Sequence, residues 1–505
     1  MAIVSDASEM CAIQNLVGGE WVDSRSQETL PIPNPATGET LAHVPLSTAA
    51  EVREAVAQAR AAWPAWRDTP VIERARVLFR MRDLIAEHMD DLAASVTAEN
   101  GKTLEEARGE VRRGLEVVEF ACGMPTLMQG SSLSDVSRDI DTTMLRVPLG
   151  VVAGITPFNF PAMIPLWMAP IALAAGNCFV HKPSERTPLT SNLLAELWLE
   201  AGLPAGVLSV THGAKAVVDA LLSDPDIAAV SFVGSQPVAA YVYATAAAHG
   251  KRVQALAGAK NFVIVMPDAR MEQATDIVLS SAFGNAGERC LASSVVVTVG
   301  DAAERLTPLL IERAHALRVG NGADSATEMG PVIRSEHLTR VRDAIARGIE
   351  EGAHLALDGR AGEDAAHVSS EANAASEQTS DDVDGYYLRP SVFTQVTPEM
   401  SLAREEIFGP VLSVMSAPTL DEAISLANRS RFGNAAVICT TSGAAARTFQ
   451  MRIEAGMVGV NIGVPGPVAW FPFAGWKQSF YGDLHATGMD AVNFYTERRV
   501  ITSRW

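Results

Sequence analysis

A chain of 505 residues is longer than one hydrophobic core usually serves, so we expect two or more domains. Hydrophobic residues make up 48% and charged residues 20% of the chain, which is typical of a water-soluble globular protein. The formal net charge of −19 argues against nucleic acid as a partner, so any anionic cofactor must be bound by local donors.

The cysteines are odd in number and widely spread, and they form neither a CxxC motif nor a motif shared with histidines. They are Cys11, Cys122, Cys178, Cys290 and Cys439. This spacing gives no disulfide framework and no metal site, so we expect no metal and a reducing, cytoplasmic location. The first fifteen residues have neither a basic start nor an apolar core, and they do not resemble a secretory signal.

Apolar periodicity predicts the elements of the first 150 residues. Short strands are expected at residues 16–22 and 39–44, amphipathic helices at 49–66, 71–99 and 104–122, and an alternating strand at 140–146.

Residues 147–180 contain no charged side chain, a length that on its own would suggest a membrane-spanning helix. Five prolines fall inside the segment, and repeated prolines would break a helix that faces lipid. We therefore interpret it as a buried strand, loop, helix and strand, and we expect no membrane partner.

Strands and helices then alternate. Strands are predicted at residues 150–155, 177–181, 206–211 and 228–233, and helices at 190–201, 217–222 and 237–248. This order favours an α/β fold with a parallel sheet that binds ligands at the carboxyl ends of its strands. The sequence lacks the glycine fingerprint GxGxxG. Gly234 and Ser235 open the helix at 237–248, where they serve either as a simple helix cap or as a seat for a pyrophosphate.

The second half of the chain contains further αβ units after a strand at 262–266. Residues 359–385 are net acidic and nearly free of large apolar side chains, so we expect a flexible surface insertion there. Residues 493–503 alternate like an edge strand that could cross to another subunit.

One cysteine stands in a distinctive stretch, SSAFGNAGERCLASS at residues 280–294. Gly284 and Gly287 allow a tight turn before Cys290, and the neighbouring Arg289 favours a thiolate over a thiol. The competing interpretation of a single cysteine in an apolar chain is a buried, inert thiol.

Three separated motifs decide between these interpretations. They are Phe283, Asn285, Gly287 and Cys290 in the cysteine stretch, EIFGP at residues 406–410, and Asn159 in TPFNFP. Together, and in their order along the chain, with TPFNFP first and EIFGP last, they resemble the aldehyde dehydrogenase superfamily. The resemblance implies a Rossmann-like NAD-binding domain at residues 1–128 and 148–257, an α/β catalytic domain at 258–470, and a small β oligomerisation element at 129–147 and 485–505.

The resemblance also implies roles for individual residues. Cys290 would be the nucleophile, and the Asn159 amide together with the Cys290 N–H would form the oxyanion hole. Glu185, the acidic residue expected near the adenosine ribose, favours NAD over NADP, because it repels a 2′-phosphate. The residues that would bind this cofactor are Thr156, Phe158, Lys182, Glu185, Gly234, Ser235, Glu406 and Phe408.

The sequence departs from hydrolytic members of the superfamily at one position. Those members have a glutamate that activates water where this chain has Leu256, the first residue of LAGAK. Leucine cannot accept a proton, whereas a thiol ionises near pH ~8.5 and needs little help. We therefore expect coenzyme A as a co-substrate. QALAGAKN, NAGERC and PFAGWKQSFYGDLHATG resemble the CoA-acylating methylmalonate-semialdehyde dehydrogenases, which convert methylmalonate or malonate semialdehyde to propionyl-CoA or acetyl-CoA with loss of CO₂.

Such a substrate needs a carboxylate-binding site, which the resemblance places at Arg113 and Arg289, with Phe158 lining the pocket. Arg112 remains an alternative to Arg113. The resemblance also implies a homotetramer. Two other functions remain open: a hydrolytic NAD-dependent dehydrogenase of another short acidic semialdehyde, and a catalytically silent NAD-binding relative.

Overall fold

The structure is a computed structural model that describes residues 13–360 and 385–505. Most of the predicted acidic insertion at 359–385 lies outside the described residues. The architecture is α/β, as predicted, and it contains two large sheets and one small exposed sheet.

The first sheet has eight strands, of which the inner five are parallel. The strands at both edges run antiparallel to their neighbours. In spatial order they are Glu20–Val22, Asn15–Val17, Leu208–Val210, Cys178–Lys182, Val151–Ile155, Ile227–Val233, Arg252–Leu256 and Phe480–Gly482.

Helices of the first half of the chain surround this sheet, and two begin with a capping box in which a threonine and a glutamate satisfy each other's free backbone N–H groups. The helices are Ala49–Asp68, Val71–Glu87, Met89–Asn100, Leu104–Cys122, Met124–Leu127, Met163–Ala175, Leu189–Glu200, Lys215–Ser223 and Gln236–Ala248.

The second sheet has seven strands, which are parallel except at the edge formed by His354–Leu357. In spatial order they are His354–Leu357, Ser391–Thr394, Val411–Ala417, Ser293–Val299, Asn261–Val265, Ala435–Cys439 and Met457–Val460. Its helices are Met271–Phe283, the 3₁₀ turn Gly284–Gly287, Ala302–Ala316, Ser335–Glu350, Ser401–Arg404, Leu420–Asn428 and Gly443–Arg452.

The third sheet consists of Thr496–Arg504, Ile140–Pro148 and Ser131–Ser137, all antiparallel, with every residue of Ser131–Ser137 exposed. The predicted C-terminal edge strand is confirmed. It begins at Thr496 because the preceding residues form the helix Gly488–Phe494. Two small ribbons complete the fold, Thr29–Pro33 with Thr40–Pro45 and Phe432–Gly433 with Trp476–Lys477.

Two predicted elements were wrong in extent. The helix expected at 71–99 is broken at His88, whose side chain pairs with Asp91 in the first turn of the following helix. The strand expected at 16–22 is a hairpin of two strands, because Gly18 and Gly19 adopt positive φ angles of 64° and 89° that reverse the chain.

The uncharged segment at 147–180 is buried as predicted. Val151–Ile155, Met163–Ala175 and Cys178–Lys182 are each buried along their whole length. In the described ranges no helix combines the length and the apolar character that crossing a bilayer requires.

Candidate active site

Cys290 lies in the loop between the 3₁₀ turn Gly284–Gly287 and the strand Ser293–Val299 of the second sheet. The turn contains three consecutive left-handed residues, Asn285, Ala286 and Gly287, with φ angles of 52°, 49° and 76°. A Cβ on Gly287 would lie 2.3 Å from the carbonyl oxygen of Gly409, so only glycine permits this approach between the cysteine stretch and EIFGP. Two of the predicted motifs therefore meet here.

Two asparagines hold the backbone of the Cys290 loop. Asn261 Nδ2 donates to the carbonyl oxygens of Cys290 and Ala292, both at 2.9 Å. Asn434 Nδ2 donates to the Cys290 oxygen from the adjacent strand region at 3.0 Å. Asn434 was not predicted from the sequence, although an amide beside the apolar strand Ala435–Cys439 was a usable signal.

Asn159 brings the third motif to the same place. Its Nδ2 donates to the backbone oxygen of Glu288 at 2.9 Å, two residues before the cysteine. Asn285 Nδ2 donates to the same oxygen at 3.3 Å. The loop after Val151–Ile155 of the first sheet is thus joined directly to the cysteine loop of the second.

Glu406 faces the stretch LAGAK. Its Oε1 accepts the N–H of Ala259 at 2.9 Å, and a Cβ on Gly258 would lie 2.5 Å from its Oε2. Burial raises the pKa of the Glu406 carboxyl. Leu256, at the start of the stretch, is 5% exposed and packs in the main hydrophobic core.

Arg289 lowers the pKa of the Cys290 thiol, as expected, but not by enough to give a thiolate near neutral pH. Burial, followed by the charge of Glu406, raises the pKa of the Cys290 thiol to about 12, and the lowering effect of Arg289 is the smaller one. The Arg289 guanidinium is already occupied, because its Nη2 forms an ion pair with Glu106 Oε1 at 2.7 Å.

Glu106 links three parts of the site and was not predicted, although Thr103 and Glu106 have the spacing of a capping box. Its Oε2 accepts the N–H of Thr103 at 3.1 Å in a capping box, and its Oε1 accepts the N–H of Asn285 at 2.8 Å. The same oxygen binds Arg289. One carboxylate therefore fixes the helix Leu104–Cys122, the left-handed turn and Arg289 relative to one another.

Of the two neighbouring arginines, Arg113 is the one placed near the nucleophile's loop. A Cβ on Gly466 would lie 3.3 Å from Arg113 Nη1 and 3.4 Å from Leu291 Cδ1, so the guanidinium and the residue after Cys290 flank one point. Both Arg112 and Arg113 are exposed.

Several of the residues predicted to bind the cofactor lie at the carboxyl ends of strands of the first sheet, while Glu406 and Phe408 come from EIFGP, which precedes a strand of the second sheet. Thr156, Lys182 and Gly234 stand at the carboxyl ends of three adjacent parallel strands. Lys182 Nζ pairs with Glu185 Oε2 at 2.9 Å. Ser235 precedes the helix Gln236–Ala248 but makes no side-chain cap, which leaves the amides at this helix end available to an anion.

Phe158 and Phe408 pack edge to face, with ring centroids 6.0 Å apart. Phe408 has a positive φ of 60°. The two rings connect TPFNFP with EIFGP, so the two predicted phenylalanines lie together.

The buried acid Glu288 was also not predicted from the sequence. Its Oε1 accepts the N–H of Ile333 at 3.2 Å and contacts His337 Nε2 at 3.1 Å, while its Oε2 is buried without a hydrogen-bond partner among the described residues. Burial raises the pKa of this carboxyl to about 8, so it is mostly protonated at neutral pH. Its place beside the nucleophile in NAGERC was the available signal.

Comparisons with known proteins agree with this geometry. A model described as the aldehyde dehydrogenase family matches residues 21–501. A malonate-semialdehyde dehydrogenase of Geobacillus kaustophilus is 55% identical, covering 98% of this chain and 99% of its own length. The malonate-semialdehyde dehydrogenase of Halalkalibacterium halodurans is 53% identical, covering 98% of both.

Solved structures that resemble this chain come from similarly named enzymes. A protein of Sinorhizobium meliloti, named as a putative methylmalonate-semialdehyde dehydrogenase and complexed with NAD, has a TM-score of 0.94 and 45% identity and covers 99% of both chains. The methylmalonate-semialdehyde dehydrogenase of Oceanimonas doudoroffii has a TM-score of 0.93 and 45% identity, with 98% of this chain and 99% of that chain covered. The chain belongs to the aldehyde dehydrogenase family, and the resemblance found in the sequence is confirmed.

The raised pKa of Cys290 predicts how its reactivity depends on pH. Well below the pKa the thiolate fraction grows about tenfold per pH unit, so alkylation by iodoacetamide in the cofactor-free protein should accelerate without levelling between about pH 7 and pH 9. Mass spectrometry of the modified peptide gives the rate, and a Cys290→Ala protein shows the background from the other cysteines. A rate that levels off within this range would mean that Arg289 outweighs burial.

Proposed function

We propose that this protein oxidises a short semialdehyde that carries a carboxylate, malonate or methylmalonate semialdehyde, and passes the acyl group to coenzyme A. NAD, when bound, accepts the hydride. The products are acetyl-CoA or propionyl-CoA, with loss of CO₂. The names of the relatives support the substrate class, and NAD in a neighbouring structure supports the cofactor.

The proposed chemistry begins at Cys290. Its thiolate adds to the aldehyde carbon, and the carbonyl oxygen becomes an oxyanion. An asparagine amide has two N–H groups, and one of those of Asn159 is bound to the Glu288 oxygen. We assign its second N–H and the Cys290 backbone N–H to the oxyanion, and loss of one such donor typically costs ~3 kcal/mol of barrier. Departure of the hydride leaves a thioester on Cys290.

The residues at the carboxyl edge of the first sheet fit NAD. The uncapped amides of Gln236–Ala248, beside Gly234 and Ser235, suit a pyrophosphate. Lys182 and Glu185 would bind the adenosine ribose and Glu406 the nicotinamide ribose, with Thr156, Phe158 and Phe408 lining the site. The acidic side chain at the ribose favours NAD over NADP.

The observation that carries the coenzyme A assignment is the buried Leu256. Water needs a base in order to attack a thioester, and a leucine side chain within the hydrophobic core cannot provide one. A thiol ionises near pH ~8.5 and attacks without such a base. The Cys290 thioester should therefore persist until a thiol removes it.

We assign the substrate carboxylate first to Arg113. Arg113 flanks Leu291 across Gly466, whereas Arg289 is bound by Glu106. Arg289 would then contribute by its charge, and by direct contact only when Glu106 releases it. Phe158 would complete the pocket.

We also propose the domain division implied by the sequence, a homotetramer and a cytoplasmic location. The two large sheets support an NAD-binding domain at residues 1–128 and 148–257 and a catalytic domain at 258–470. The third sheet supports an oligomerisation element at 129–147 and 485–505, because it exposes apolar side chains. These include Leu133, Val136, Val500 and Ile501.

Turnover should depend on coenzyme A. With malonate semialdehyde and NAD, steady NADH production should require coenzyme A, and mass spectrometry should identify acetyl-CoA. Equal rates with and without coenzyme A, yielding a free acid, would contradict the proposal and would direct attention to Glu288 as a base.

Arg113→Leu should reduce kcat/KM for malonate semialdehyde by roughly 10–100-fold, because a charge-assisted hydrogen bond to the carboxylate is lost. The kcat/KM for propionaldehyde, which has no carboxylate, should change by less than about threefold. Arg112→Leu is the matched control, since it removes the same charge one position away. Losses of the same size on both aldehydes, or an equal effect of Arg112→Leu, would remove Arg113 from this role.

A further inference from the structure

A fully buried ion pair lies beside the proposed oxyanion hole. Lys102 Nζ and Glu110 Oε2 are 2.5 Å apart, and their side chains are 1% and 0% exposed. Lys102 precedes the helix Leu104–Cys122, and Glu110 lies in its second turn. Burying two charges costs several kcal/mol per ion, and an apolar pair of similar volume often serves stability as well. The pair therefore calls for an explanation beyond stability.

The other hydrogen-bonding groups of the pair all reach one segment, residues 159–163. Lys102 Nζ donates to the carbonyl oxygen of Asn159 at 2.7 Å and lies 4.3 Å from the centre of the Phe160 ring. Glu110 Oε1 accepts the N–H groups of Ala162 and Met163 at 2.8 and 3.1 Å. The cation holds the start of the segment and the anion holds its end.

The backbone at Lys102 is also held in place by Gly322, which lies in the second half of the chain. A Cβ on Gly322 would lie 2.3 Å from the Lys102 carbonyl oxygen, and the next helix begins with a hydrogen bond from Leu104 N to Gly322 O at 3.0 Å. The ion pair therefore does not move freely with the segment that it holds.

We propose that Lys102 and Glu110 are positioning residues that fix the Asn159 amide where the oxyanion forms. The inference rests on the proposed role of Asn159. The Asn159 backbone is held by Lys102 while its side chain reaches the Glu288 oxygen at 2.9 Å. A shift of this backbone would move the donor away from the reacting oxygen, and a displacement of about 1 Å in such a site can cost roughly 100-fold in rate.

A double-mutant cycle tests the inference. Lys102→Met with Glu110→Leu removes both charges and leaves none unpaired. The rate of the single-turnover NADH burst should fall roughly tenfold or more, while the NAD dissociation constant stays near that of the wild type. The melting temperature should fall, because the N–H groups of Ala162 and Met163 and the carbonyl of Asn159 lose their partners. In an Asn159→Ala background the same change should alter the burst by less than about twofold, because the donor to be positioned is gone.

Lys251→Met is the matched control. Lys251 is 7% exposed and donates to the carbonyl oxygen of Ile227 at 2.8 Å, away from Asn159. Lys251→Met should leave the rate of the NADH burst unchanged. If the double variant does not fold, Glu110→Gln replaces it, since glutamine keeps an acceptor for Ala162 and Met163 but not the charge. The loss of burst rate in Glu110→Gln should be smaller than in the double variant, and it should also vanish in the Asn159→Ala background.

The outcomes distinguish failure of the inference from failure of the proposed oxyanion role. Equal fold-losses in the wild-type and Asn159→Ala backgrounds would show a general structural role and overturn the inference alone. An Asn159→Ala protein as fast as the wild type would overturn the proposed oxyanion role, and the inference with it.

Discussion

The hydrogen bond from Asn159 Nδ2 to the Glu288 carbonyl oxygen is the contact on which the rest of the site depends. It joins residues 129 positions apart at 2.9 Å and lies in the interior. One partner follows a central strand of the first sheet, and the other precedes Cys290 in the loop before the central strand of the second. Because an unpaired buried amide or carbonyl is costly, this bond fixes the Asn159 amide relative to the Cys290 loop, as the proposed oxyanion and nucleophile roles require.

The nucleophile's loop is held in a conformation that most residues avoid. Asn285 and Ala286 are left-handed without being glycine, which costs roughly 1–2 kcal/mol for each residue. The surrounding contacts offset this cost: Glu106 accepts the Asn285 N–H, and Gly409 packs against Gly287. The same contacts bind Arg289 and bring EIFGP next to the cysteine loop, so the strained turn, Arg289 and EIFGP share one framework.

The α/β class, most elements and the motifs that hold Asn159, Cys290 and Glu406 could be predicted from sequence, because each is expressed in local periodicity or contiguous residues. The pairing of Arg289 was not predictable, since Glu106 lies 183 positions away. The high pKa of Cys290 depends on burial, which no local pattern reports. In the sequence, Lys102 looks like a surface charge before an amphipathic helix and Glu110 like one on it, and only the packing of residues 159–163 shows that both are buried.

In the proposed reaction the acyl group stays on Cys290 until a thiol removes it, because Leu256 offers no base for water. The most direct measurement is the mass of the intact protein after mixing with malonate semialdehyde and NAD in the absence of coenzyme A. We expect one acyl group on the Cys290 peptide, which disappears when coenzyme A is added. Unmodified protein together with accumulating free acid would contradict this role of Leu256.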